Sequence, residues 1–316
     1  MIVCLAANPS IDKLFEVDRL VRGDIHRPSS FVEVAGGKGL NVARAARALG
    51  ADVRAVALMR GHTGKWLVDM LNAEGVPCSF VWTHGENRAS LSVADRETGG
   101  LTEFYEHGSE VPEAAWVELM DATARAWVPG AWLTISGSMP QGAPRDGYRS
   151  LVAEARAAGV RVALDSEGDR LRLALEAEPD VVKVNAAEAG GLLGVPTARR
   201  DEALTAAQKL RALAGGDGHA GVVTRGADGV VVAGPDGTLF EGTLYVRGRY
   251  PVGSGDAFLA GLADGLAADT QGAGDWERAL RLALGAATAN AEVPGAGRLD
   301  RGRAEALATQ AVVRIV

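Results

Sequence analysis

The chain has 316 residues, 47% of them hydrophobic and 23% charged, the composition of a globular protein with one large domain and at most a small appendage. A net charge of -7, with no basic stripe, argues against nucleic acid as a partner but does not exclude a phosphorylated small molecule, since local Arg and Lys can still build a basic pocket. Cys4 and Cys78 form neither a disulfide framework nor a metal spacing, no apolar run approaches a membrane span, and the opening MIVCLAA lacks a basic leader; a cytoplasmic protein without membrane contact is expected.

Residues 2–7 read as a buried strand. In 12–34, LFEV and SFVEV alternate with period two around Gly23 and Pro28. A helix over 38–49, a strand VRAVALM at 53–59 and a helix over 63–74 follow. Residues 79–106 carry SFVW, ASLSVAD and LTEFYEH with a turn at Thr98-Gly99-Gly100, a hairpin pattern. The remainder alternates short β-branched runs with amphipathic stretches. Strands are predicted at 132–136, 160–165, 180–185, 220–226, 229–234 and 242–247, and helices near 145–158, 169–177, from 187, 254–268 and 275–291. This alternation predicts an α/β fold, a mostly parallel sheet covered by helices on both faces. The two period-two regions predict one small antiparallel sheet beside it, a β lid over the strand ends. The expected division is a core of 1–11, 35–78 and 107–316 and a lid of 12–34 and 79–106.

Four segments carry candidate chemistry. In PVGSGDAFLAGLADGL (251–266), Gly253, Ser254 and Gly255 precede a helix, so backbone N–H groups and the helix dipole can form an anion site beside Asp256; an ordinary helix cap accounts for the same residues. VAGGKGLNVARAARALG (34–50) opens a helix with Gly36, Gly37, Lys38, Gly39 and Asn41. Its spacing is neither the dinucleotide fingerprint nor a Walker A loop, which counts against a nicotinamide-dependent oxidoreductase; close backbone packing is the alternative. VVKVNAAE (181–188) places Lys183 and Asn185 at a strand end and Glu188 one turn on, where α/β sheets bind ligands; Asn185 and Glu188 also fit a capping box. NPSID (8–12) sets Asp12 just beyond the first strand, or forms a plain turn.

Together, and in this order, these segments resemble the ribokinase-like (PfkB) carbohydrate kinases, with SGSMPQG (136–142) and TRGADG (224–229) similar to further family segments. NPSID and SGSMPQG look most like the branch acting on phosphorylated ketohexoses, fructose 1-phosphate or tagatose 6-phosphate. The chain departs from that branch at Arg88-Ala89-Ser90-Leu91-Ser92, where an Asn and a Lys are missing, and at Lys183-Val184-Asn185, where Pro is usual. Tyr250 stands six residues before Asp256, where many relatives carry Asp or Ser near a monovalent cation.

The resemblance implies a three-layer core with a β lid, and transfer of a phosphoryl group from ATP with Mg²⁺. Asp256 would be the base, with the Gly253, Ser254 and Gly255 backbone around the transferred group. Asp12, Gly37, Lys38, Asn41 and Ser138 would meet the sugar, and Arg27, Lys38 and Arg88 its phosphate. Lys183, Asn185, Thr224, Gly226, Gly229 and Asn290 would meet ATP, and Asn185 with Glu188 would hold the metal through water. A requirement for a monovalent cation stays open. A kinase for an unphosphorylated sugar or nucleoside, and a catalytically silent sensor, are the rival expectations. The lid edge suggests a homodimer.

Overall fold

The computed structural model describes residues 1–268 and 275–316. Seven strands form a parallel array: β1 (Ile2–Ala6), β4 (Val53–Arg60), β5 (Cys78–Thr83), β8 (Trp132–Ser136), β9 (Arg161–Asp165), β10 (Val181–Asn185) and β11 (Ala220–Thr224). Three antiparallel strands extend it, β12 (Val230–Ala233), β13 (Leu239–Thr243) and β14 (Val312–Ile315), giving the order β14-β13-β12-β11-β10-β9-β8-β1-β4-β5. β1 and β8 are buried at every position, as strands covered on both faces must be.

Helices α1 (Lys38–Leu49), α2 (Gly61–Ala73), α8 (Ser254–Ala267), α9 (Trp276–Glu292) and α10 (Arg301–Gln310) share one apolar core with the sheet. The opposite face is covered by α3 (Glu113–Ala124), α4 (Gly147–Ala157), α5 (Gly168–Leu175), α6 (Ala186–Leu193) and α7 (Arg200–Leu213). The expected three layers are therefore present. Leu259, Leu262 and Leu266 of α8 are almost fully buried, each contributing about 1.5–3 kcal/mol. Gly261 and Gly265 let α8 approach α9 closely: a Cβ there would lie 2.9 and 2.5 Å from Ala283 and Ala279. That packing makes α8 a rigid mount for Asp256 in its first turn.

The small sheet has the order β3-β2-β6-β7, from β2 (Ser10–Val17), β3 (Ser30–Gly36), β6 (Arg88–Asp95) and β7 (Leu101–Tyr105). It is two antiparallel hairpins joined by a parallel β2–β6 pair. One expected lid segment lies elsewhere: SFVW belongs to β5, which pairs with β4 at the edge of the main sheet. An edge strand is half-covered, with Val81 buried and Trp82 exposed, and so shows the same alternation as a lid strand. The predicted strand at 242–247 is likewise shifted to β13, leaving 244–249 to run irregularly toward Tyr250.

From β1 the chain builds toward β4 and β5, then returns to β8 and builds the other way. The carboxyl ends of β1 and β8 thus flank a topological switch point, the usual ligand crevice of open α/β sheets. The lid strands stand over it.

Candidate active site

A cavity of about 690 Å³ opens at this switch point, lined by Asn8, Asp12, Gly37, Lys38, Asn41, Arg88, Ser138, Gly253 and Asp256 among others. Pro251 to Gly255 lead into α8. Gly253 takes φ 81, and a Cβ on it would lie 2.6 Å from the Ala296 Cβ, so only glycine lets this loop pass under residues 295–297. Ser254 donates its N–H to the Pro251 carbonyl at 3.1 Å. The first-turn donors left without a helical acceptor are then Gly255 and Asp256, which corrects the expectation that Ser254 N–H faces an anion. Ser254 and Asp256 make no side-chain cap.

The Asp256 carboxylate is only 5% exposed and accepts a 2.9 Å hydrogen bond from Asn41 Nδ2. Burial pushes its pKa up to about 7, with Asp165 adding to the rise and Lys38, Asn41 and Lys183 opposing it. A carboxyl poised near neutrality suits general-base work. The other polar atom of Asn41, Oδ1, is buried and has no partner, an unfilled acceptor that calls for an explanation.

Beneath Asp256 runs a chain of charges. Lys183 Nζ lies 2.6 Å from Asp165, and Lys38 Nζ lies 3.4 Å from Asp165 and 3.6 Å from Glu188. Burial would raise the Asp165 carboxyl, but Lys183 and Lys38 outweigh it and hold it below its ordinary value. A Cβ on Gly255 would sit 3.0 Å from Lys183 Nζ, so the ammonium lies directly against the glycine turn. Asp165 is absent from the predicted set; its signal was a lone acidic residue closing the apolar run VRVALD.

On the lid side, Asp12 is bonded to the Ser10 hydroxyl and to Gly37 N–H at 3.2 Å. Burial raises its pKa, against the pull of these bonds and of Arg88 and Arg44. Arg88 donates to Asn8 O at 3.3 Å, Ser90 Oγ at 3.3 Å and Glu106 O at 3.4 Å, all neutral acceptors, so its charge stays available to the cavity. Ser138 Oγ accepts from Asn8 Nδ2 at 3.1 Å. Arg27 does not join them: it lies exposed in the irregular 18–29 connection, outside the cavity lining.

The expected nucleotide residues divide. Asn185, Thr224 and Gly226 share a shallow hollow of about 250 Å³ at the ends of β10 and β11. Asn185 and Glu188 form the reciprocal capping box of α6, at 2.9 and 2.8 Å. Gly229 lies outside the hollow, where a Cβ would meet Gly242 O at 2.1 Å; its role is strand approach. Asn290, expected beside the nucleotide base, is fully buried. Its Nδ2 donates to Val252 O at 2.9 Å and its Oδ1 accepts from Gly297 N–H at 2.8 Å. It ties together the two loops that cross at Gly253, because its side chain points into the core rather than toward solvent.

Comparison with known proteins agrees with this geometry. The family model described as pfkB family carbohydrate kinase matches residues 5–301. A 1-phosphofructokinase of Haloferax volcanii is 34% identical, over 94% of this chain and 92% of that protein. A 1-phosphofructokinase of Xanthomonas campestris is 32% identical, over 89% and 88%. Escherichia coli phosphofructokinase-2, solved in complex with substrates and products, superposes with a TM-score of 0.89 at 26% identity, covering 98% of each chain. With a buried carboxylate at a glycine-led helix start, under a β lid at the switch point, this chain belongs to the pfkB family of carbohydrate kinases and is an ATP-dependent sugar kinase.

Proposed function

We propose that the protein phosphorylates a ketohexose phosphate, with fructose 1-phosphate as the first candidate and fructose 1,6-bisphosphate as the product. One observation carries the reading. A near-neutral buried carboxylate, Asp256, shares one cavity with the cations Arg88 and Lys38, so a base for the acceptor hydroxyl and counter-charge for an acceptor phosphate are present together. Two relatives named 1-phosphofructokinase support the same acceptor. Tagatose 6-phosphate and fructose 6-phosphate present the same groups and are the competing acceptors.

ATP, bound with Mg²⁺, would supply the terminal phosphoryl group, and the bond from it to the bridging oxygen breaks to release ADP. Asp256 takes the proton of the attacking hydroxyl, and Asn41 holds the carboxylate in place. Asp12 and the free Asn41 Oδ1 accept hydrogen bonds from sugar hydroxyls. The Gly255 and Asp256 N–H groups, at the positive end of α8, stabilise charge on the transferred group, and Lys183 adds its charge from below. Catalysis in such sites is mainly positioning and electrostatics.

The residues present fit both groups. The Lys183 ammonium against the glycine turn supplies positive charge for a phosphate, and Asn185, Thr224 and Gly226 line a hollow at the ends of β10 and β11. Among the described residues no cluster of three His, Cys, Asp or Glu could grip a metal directly. Glu188 Oε2 and Asn185 Oδ1 are held by the capping box, leaving Glu188 Oε1 near Lys38. That donor set suits hydrated Mg²⁺ held through water.

The test is ATP-dependent turnover with fructose 1-phosphate, tagatose 6-phosphate, fructose 6-phosphate, fructose and ribose side by side. The reading expects the highest kcat/KM on a phosphorylated ketohexose. A preference for fructose or ribose would overturn it while leaving the kinase intact.

A further inference from the structure

The phosphate-binding side of the cavity is short of one cation. Arg27 is outside it, and Lys38 shares its charge with Asp165 and Glu188 at 3.4 and 3.6 Å. On β6 after Arg88 the cavity is lined by Ser90, Ser92, Ala94 and Asp95, none of them a cation, and the other lining cations Lys13, Arg96 and Arg249 are paired with Glu33, Asp18 and Glu16. Across the cavity from the lid, the first turn of α5 supplies Arg170. It is half-buried, lines the same cavity beside Ser166 and Glu167, and has neither an ion pair nor a side-chain hydrogen bond among the described residues. Its nearest acidic neighbour in sequence, Asp169, is taken by Arg145 at 2.5 Å and Arg172 at 3.6 Å, while Arg172 also reaches Glu176 at 3.9 Å. The two cations of α5 therefore divide: Arg172 belongs to a surface ion-pair network, and Arg170 is left to the cavity. Its field also reaches Tyr148, together with that of Lys38, and Tyr148 donates to the Gly137 carbonyl at 3.3 Å. Lys38 packs against Gly137, where a Cβ would lie 3.0 Å from the Lys38 Cβ, and Arg88 reaches Ser138 of the same turn through Asn8, so Arg88, Ser138 and Arg170 line one cavity.

We infer that Arg170 is a substrate-binding residue that, with Arg88, clamps the acceptor's own phosphate between core and lid. This rests on the reading that the acceptor is a sugar phosphate. A planar guanidinium with no protein acceptor can give its fork to a phosphate without breaking an existing bond. One arm on the lid and one on the core also means that the phosphate itself draws the lid down.

Steady-state kinetics of Arg170→Gln, Arg170→Lys and the neighbouring control Arg172→Gln test this with fructose 1-phosphate and ATP. Arg170→Gln should raise KM for fructose 1-phosphate roughly tenfold or more, with KM for ATP within about twofold. Arg170→Lys should recover part of the loss and Arg172→Gln should match wild type. Competitive inhibition by inorganic phosphate should weaken in Arg170→Gln alone, a readout that a loosened helix would not select. If Arg170→Gln keeps the wild-type KM while Arg88→Gln raises it, the clamp inference is wrong and the sugar-phosphate reading stands. If the wild type does not use any phosphorylated ketohexose, both fall together.

Discussion

In the proposed mechanism Asp256 is the base. Asp256→Asn should lower kcat by a factor on the order of 10² or more while KM for ATP changes little, measured by coupled ADP release. Because burial raises its pKa to about 7 and the base works ionised, kcat/KM should fall as pH drops through that value. The same shift bears on stability. Between the ordinary 3.8 and about 7, the folded chain keeps a proton that the unfolded chain has released, so stability declines as pH rises across that window. Asp256→Asn should therefore be the more stable protein at pH 8, by on the order of a few kcal/mol, with the difference closing toward pH 4; equal melting curves at pH 8 would contradict the buried-charge account. Asp256, Asn41 and Asp12 were legible from sequence because each sits in a glycine-rich or strand-end motif, whereas Arg88 was named only through the family resemblance. Arg170 and Asp165 were not, since a single charge beyond a strand end has no local pattern and acquires meaning only when another strand is laid beside it.

At the scale of elements, the loop 251–254 and its partner 295–297 hold the site. Asn290→Ala would leave Val252 O and Gly297 N–H without their partners, costing about 1–3 kcal/mol of stability, and should lower kcat through a displaced Gly255–Asp256 turn. Urea unfolding with parallel kinetics checks it. Gly253→Ala is expected to be worse, since positive φ and the clash with Ala296 act together; an active, wild-type-stable Gly253→Ala protein would refute the proposed loop packing. The parallel strands other than β5 were readable as short β-branched runs, and α1, α8 and α9 because their apolar periods are long and bounded by glycine or capping residues. α3, α7, α10 and β14 were not. In α10 only Ala304 and Leu307 are buried, too few to show a period, and β14 buries only Val313. Its place is set by pairing with β13, a long-range contact.

For the whole molecule, lid and core meet at a polar junction beside the loop that leads into α8. Tyr250 donates to Glu16 Oε1 at 2.9 Å, Ser30 donates to Glu16 Oε2 at 2.7 Å, and Arg249 stands 3.9 Å away. This joins β2 of the lid to the residue preceding Pro251, so lid position and the glycine turn are coupled. The contact is partly exposed, and its effect should be modest: Tyr250→Phe is expected to raise KM for the sugar roughly a few-fold and to increase ATP hydrolysis in the absence of sugar, as a looser lid admits water. Unchanged acceptor-free hydrolysis would argue that the junction is only structural. The most direct test of the central claim is ADP formation from ATP and fructose 1-phosphate by the wild-type protein and Asp256→Asn under identical conditions. The account predicts robust turnover in the first and a loss on the order of 10² or more in the second; comparable turnover in both would contradict the assignment of Asp256 as the base.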